Sequence, residues 1–198
     1  FQLYQQALAQ LQAAGIDPPQ KHMCNSGGSD WFRASFCNAV RIGRRLYMDN
    51  QAEPLTPGTP GAVQEACSWR ASVTNLRVVE AGDTVGYDAA WTAPRRTRVA
   101  TVCVGYGDGL YYPLAEAGGP LLVGEQKARL LATCMDQCFV DVTDIPCRAG
   151  DEVTFFGQSS GGAAMPIQEL GKFMHVEGVY FYSFLSPRVA RVYEGLEP

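Results

Sequence analysis

Basic charge, histidine and long apolar runs are all scarce in this 198-residue chain. Lysine and arginine together number 16 against 20 acids, a formal net charge of −4. That balance excludes the basic stripe that a nucleic-acid-binding surface requires. No stretch approaches the roughly 20 apolar residues of a membrane-spanning helix. Histidine occurs only as His22 and His175, so a metal site built around Cys134 and Cys138 would lack nearby partners. The seven cysteines are odd in number and follow no disulfide framework, which predicts reduced thiols in a cytoplasmic protein. The opening "FQLYQQALAQLQAAG" has neither the basic start nor the apolar centre of a signal peptide, and it reads as an amphipathic helix.

Hydrophobic residues make up 46% of the chain and charged residues 18%, enough apolar content for a substantial core. Leu3, Ala7, Leu11 and Ala14 recur at helical spacing, with Gly15 at the natural stop. "KHMC" and "CNAVRIGRRLYM" read as strands, separated by a Gly-rich turn and a helical piece around residues 29–36. That order predicts βα units of a parallel arrangement. Residues 49–63 then turn proline- and glycine-rich, the mark of a linker. Beyond them, evenly spaced short strands predict a β-barrel or sandwich: "SWRASVTNLRVV", "DTVGYDAAW", "RVATVCVGY", "PLLVG", "KARLLATCM", "CFVDVTD" and "DEVTFFG". A helix is expected around residues 166–177, and "SPRVARVYEG" should return as a last strand.

One short stretch stands out. In "ATCMDQCFVDVTD", Cys138, Val140 and Val142 alternate with Phe139, Asp141 and Thr143 as a strand does. Ahead of them stand Met135, Asp136 and Gln137, where an ordinary turn would carry Gly, Asn or Pro. From the residues alone, this is either a packed corner of the core or a chemical site.

Five segments resemble, in order, the C-terminal half of the alanine racemase family, pyridoxal-phosphate (PLP) enzymes with a (β/α)8 barrel followed by a β-domain. "HMCNSGG" resembles the family's His-x-x-Asn-Ser stretch, and "NAVRIGRRLY" its Val-Arg-x-Gly-Ile-x-Leu-Tyr stretch. "AGDTVGYDAAWTAPRRTRVATVCVGYGDGL" resembles the run that holds two active-site tyrosines. "CMDQ" matches the Cys-Met-Asp-Gln motif, and "RVARVY" the closing Arg-Val-Pro-Arg-x-Tyr. The resemblance implies a mainly β chain: the final units of a (β/α)8 barrel in residues 1–50, a linker at 51–63, and the C-terminal β-domain at 64–198. It also points to an alanine/serine racemase branch associated with vancomycin resistance, and to a role in making D-alanine for the cell wall.

Residue by residue, the resemblance assigns Tyr87 as one of two catalytic bases, offered to the active site of the partner subunit. As a residue in isolation, Tyr87 is equally an aromatic packed in a strand. Met135 would help hold the substrate carboxylate, Tyr106 would narrow the substrate entrance, and Asp136 would organise the turn. Ser26 would bind the PLP phosphate, Arg41 the pyridine nitrogen, and Gly43 the phosphate through its backbone. Arg44 stands where the family usually has isoleucine, so the backbone contact is expected in an altered pocket. The family's phosphate-binding tyrosine falls at Val179, and the adjacent Tyr180 is the expected replacement.

The lysine that holds PLP lies near the family's N-terminus. The only lysines here, Lys21, Lys127 and Lys172, have no matching context. The resemblance therefore implies part of a longer racemase acting on a small amino acid, alanine or serine, as a homodimer with shared active sites. This chain alone is expected to be inactive. Unpaired edges of the partial barrel should also drive association. The alternative is a non-catalytic β-domain module for assembly or protein binding. A PLP decarboxylase of the same plan is disfavoured by "CMDQ".

Overall fold

The computed structural model describes residues 1–32, 37–47 and 65–195. The chain divides into two compact units, Phe1–Ala66 and Cys67–Pro198. The expected linker at 51–63 lies outside the described residues.

In the first unit, α1 (Gln2–Ala13) ends where Gly15 adopts a φ of +78°. A short α2 (Ser26–Trp31) begins at Asn25, whose side chain accepts the Gly28 N–H at 2.9 Å. This is the N-cap use of asparagine, satisfying a backbone donor that the first turn leaves open. The two expected strands shrink to one parallel bridge, His22 with Ala39, and Arg44–Leu46 forms a 3₁₀ turn. The expected helix at 29–36 is displaced to 26–31, because Asn25 caps the chain earlier; residues 33–36 lie outside the described residues.

The second unit is built on antiparallel strands: β1 (Trp69–Val79), β4 (Thr97–Val102), β5 (Pro120–Val123), β6 (Gln126–Thr133), β7 (Cys138–Asp141) and β8 (Glu152–Gln158). Their order is β1-β4-β7-β6-β5-β8, and β8 pairs again with β1, so the sheet closes into a barrel. Closure leaves none of these strands as an open edge. β1 serves two partners because its register shifts between Val73 and Asn75. The Thr74 hydroxyl at that bulge donates to the Thr101 carbonyl at 3.1 Å. A short β9 (Ala164–Met165) pairs with the end of β8.

The alternation seen in the sequence becomes a two-sided wall. Leu130, Val140 and Ala100 are register partners and fully buried. A second cluster joins Val79, Val99 and Leu131 to Val85 and Ala93 of the hairpin formed by β2 (Thr84–Val85) and β3 (Trp91–Thr92), with Trp91 and Phe139 packed against it. The Trp69 ring packs at a tilt against Phe155 at 4.7 Å and Phe156 at 5.9 Å. Among the described residues, three α-helices complete the unit: α3 (Tyr112–Glu116), α4 (Ile167–Met174) and α5 (Tyr180–Phe184). The expected C-terminal strand does not form. Val192 and Tyr193, adjacent in sequence, are both exposed and pair with no strand among the described residues. No helix among the described residues is long and apolar enough to cross a membrane.

Candidate active site

The candidate residues fall into three groups, with Tyr180 apart from them. Ser26, Arg41, Gly43 and Arg44 all line one pocket of about 460 Å³ in the first unit, together with Asn25, Gly27 and Ile42. Ser26 is buried, and its hydroxyl accepts the Gly43 N–H at 3.0 Å. Arg41 donates from Nη1 to His22 Nδ1 at 2.8 Å, and its own N–H bonds the Cys24 carbonyl at 2.9 Å. Two guanidinium groups, a hydroxyl and small residues that let the backbone come close make a donor-rich pocket suited to an anion.

Tyr87 forms the second group. It is not in a strand, as its flanking residues suggested, but begins a 3₁₀ turn between β2 and β3. Gly86 before it has φ +88°, and a Cβ there would lie 2.9 Å from that of Ala132. Asp88 and Ala89 after it also hold left-handed φ values of 52° and 54°. Consecutive non-glycine residues in this region store strain of the kind found at functional turns. Val85 and Trp91 anchor the hairpin in the second cluster, while Tyr87 itself is 56% exposed. Its hydroxyl makes no hydrogen bond among the described residues. Arg95, Arg96 and Arg98, close in sequence, are engaged elsewhere: Arg95 with Asp141 and Asp144, Arg96 with Glu80, Arg98 with the carbonyls of Ile145 and Cys147.

Tyr106, Met135 and Asp136 meet in the third group. Tyr106 N–H bonds the Cys134 carbonyl at 3.0 Å, and Gly107 N–H bonds the Met135 carbonyl at 2.8 Å. Met135 is 53% exposed, so this is no packed corner of the core. The Tyr106 ring meets Tyr112 edge-on at 6.0 Å. Asp136 is exposed, and its carboxylate has no partner among the described residues. Asp108, which sequence reasoning did not single out, accepts the Gly105 N–H at 2.9 Å beside this turn. Tyr180 opens α5, half exposed, with its carbonyl accepting the Ser183 hydroxyl at 2.6 Å, and Val179 is the N-cap residue just before it. No group of three or more metal-ligating side chains is gathered among the described residues.

This arrangement has clear relatives. An alanine racemase of Desulforamulus reducens is 32% identical over 197 residues, which is 98% of this chain and 52% of that protein. The chain thus spans about half the length of the curated relatives it matches. The crystal structure of the biosynthetic alanine racemase of Pseudomonas aeruginosa is 32% identical with a TM-score of 0.74, covering 93% of this chain and 50% of that one. A histidine racemase of Leuconostoc mesenteroides is 29% identical with a TM-score of 0.71, covering 89% of this chain and 47% of its own. Residues 66–193 match the family described as the alanine racemase C-terminal domain. With that match over more than half its length, the chain belongs to the alanine racemase family.

Proposed function

We propose that this chain is the C-terminal part of a PLP-dependent amino-acid racemase, with residues 64–198 as its β-domain and residues up to about 50 as the last units of a barrel. The observation that carries the reading is Tyr87, displayed with an unbonded hydroxyl on a strained turn where the family motif expects a base. Racemisation requires a proton to leave one face of the α-carbon and return on the other, so two bases must flank it. Tyr87 is one of them, working in the active site of a second copy of the protein. A tyrosine with the ordinary pKa of about 10 is a base only once nearby positive charge or hydrogen bonds favour its ionised form. None of Arg95, Arg96 and Arg98 is free for that role, so the charge comes from outside this turn.

The first unit fits the cofactor by the chemistry of its donors. Ser26 and the backbone around Gly27 and Gly43 would hold the phosphate. Arg41 would face the pyridine nitrogen, its guanidinium fixed by His22 and always charged. When bound, PLP delocalises the negative charge left at the α-carbon. Met135 would hold the substrate carboxylate and Tyr106 would narrow the way in. Tyr180 substitutes for the tyrosine missing at Val179. The substrate is a small amino acid, alanine by default and serine as the second candidate.

The test is racemisation by the complete polypeptide that carries this chain, supplied with PLP and each enantiomer of alanine and of serine. Interconversion of either pair, with none from this chain alone, is the expected result. No interconversion of either would overturn the reading in favour of a non-catalytic module.

A further inference from the structure

We infer that Asp108 is the positioning residue that holds Tyr106 against the Met135 turn, with Arg188 steering its carboxylate. This rests on the reading above, in which Tyr106 and Met135 border the substrate.

Tyr106 sits on a single 3₁₀ turn, Tyr106–Asp108, and its ring is 42% exposed. With the Tyr112 edge as its ring contact, the ring goes where the backbone puts it. That backbone is pressed onto the Met135 turn. A Cβ at Gly105 would come within 2.3 Å of the Cys134 carbonyl, and one at Gly107 within 2.8 Å of the Met135 carbonyl. Close approach demands glycines, and glycines leave the loop with little intrinsic preference for this shape. Something must therefore hold it.

Asp108 does so on two sides. Its Oδ2 accepts the Gly105 N–H at 2.9 Å, while its own N–H bonds the Gly105 carbonyl at 3.0 Å, which closes the turn. Its Oδ1 faces Arg188 Nε at 3.4 Å, and its carbonyl accepts the Ser186 N–H at 3.0 Å. The Asp108 side chain is 13% exposed and that of Arg188 52%. The guanidinium passes so close that a Cβ at Gly107 would lie 2.7 Å from Arg188 Nη1. One carboxylate thus ties the Tyr106 turn to the segment after α5. A charge-assisted bond to a backbone N–H is stronger and shorter than a neutral one, which suits a glycine-rich turn.

The experiment compares amide hydrogen exchange at Gly105 and Gly107 in the wild type, Asp108→Ala and Arg188→Gln, with Val99 and Val140 amides as internal controls. Both variants should exchange about tenfold or more faster at Gly107 while the strand amides hold their rates. Unchanged exchange at Gly107 would overturn the proposal. Should Asp108→Ala accelerate the strands as well, Arg188→Gln decides, because that side chain is half exposed and the barrel does not depend on it. In the complete polypeptide, Arg188→Gln should raise KM about tenfold with kcat within about twofold, and Arg188→Lys should recover part of that loss. A loosened turn with KM unmoved would overturn the positioning role. Absence of racemisation in the unmodified polypeptide would instead sink the underlying reading and leave the exchange result standing.

Discussion

Arg41 donates a hydrogen bond to His22 Nδ1 at 2.8 Å, beside the parallel bridge of His22 with Ala39. A guanidinium has only donors, so Nδ1 must present its lone pair and neutral His22 carries its proton on Nε2. Replacing Arg41 by Ala should release the ring into a mixture of tautomers. The ¹⁵N resonances of the His22 ring check this, and an unchanged tautomer in the variant would contradict it.

The turn that displays Tyr87 makes two opposed demands on small residues. Gly86→Ala forces a Cβ into a left-handed position already 2.9 Å from Ala132 Cβ and should cost about 1–3 kcal/mol. Ala89→Gly relieves a left-handed alanine, and part of that gain is offset by the greater freedom of glycine in the unfolded chain, leaving up to about 1 kcal/mol of stabilisation. Urea unfolding of the two variants should move the midpoint in opposite directions.

Much of the barrel was legible in the sequence because burial and alternation coincide there. Cys138, Val140 and Val142 alternate, and all three are fully buried. The strand expected in "SPRVARVYEG", which lacks that alternation, does not form among the described residues, and Val192 and Tyr193 are exposed. "DTVGYDAAW" has strand composition at both ends, yet Gly86, Asp88 and Ala89 break it with positive φ values, two of them at non-glycine residues. At the candidate site, the motifs singled out Tyr106 and Met135, whose turns the structure brings together. Asp108 was not legible, because its role depends on Gly105 and Arg188 meeting it in space.

Acid should loosen the corner around Glu152. Burial pushes this carboxyl up, but hydrogen bonds from the Ser160 hydroxyl and N–H, the charge of Arg70 and the Thr154 hydroxyl outweigh it and hold it below the ordinary value of 4.5. A depressed carboxyl contributes stability that is complete above its unfolded pKa and is lost as pH falls through the folded one. Glu152→Gln should therefore be less stable than the wild type at neutral pH, with the difference shrinking as pH drops below about 4.5. Thermal unfolding of both proteins between neutral and acidic pH tests it, and a gap that widens in acid would contradict it.

Thiol reactivity should separate the cysteines near the Tyr106 turn. Cys138 is fully buried, and desolvation, reinforced by Cys103, Asp108 and Cys134, raises its thiol far above the normal range. Cys103 is exposed. A thiolate-specific reagent at mildly alkaline pH should label Cys103 in the native protein and Cys138 only after unfolding. Peptide mass spectrometry reads both, and native labelling of Cys138 would contradict the packing.

If Tyr87 is a catalytic base, Tyr87→Phe in the complete polypeptide removes the atom that carries the proton. The ring survives, its exposed position leaves the barrel undisturbed, and only the hydroxyl is lost. Racemisation should fall by about 10²–10⁴-fold, the usual worth of a general base, with the melting temperature unchanged. Racemisation at the unmodified rate would show that the proton moves without Tyr87 and that this residue is not a base.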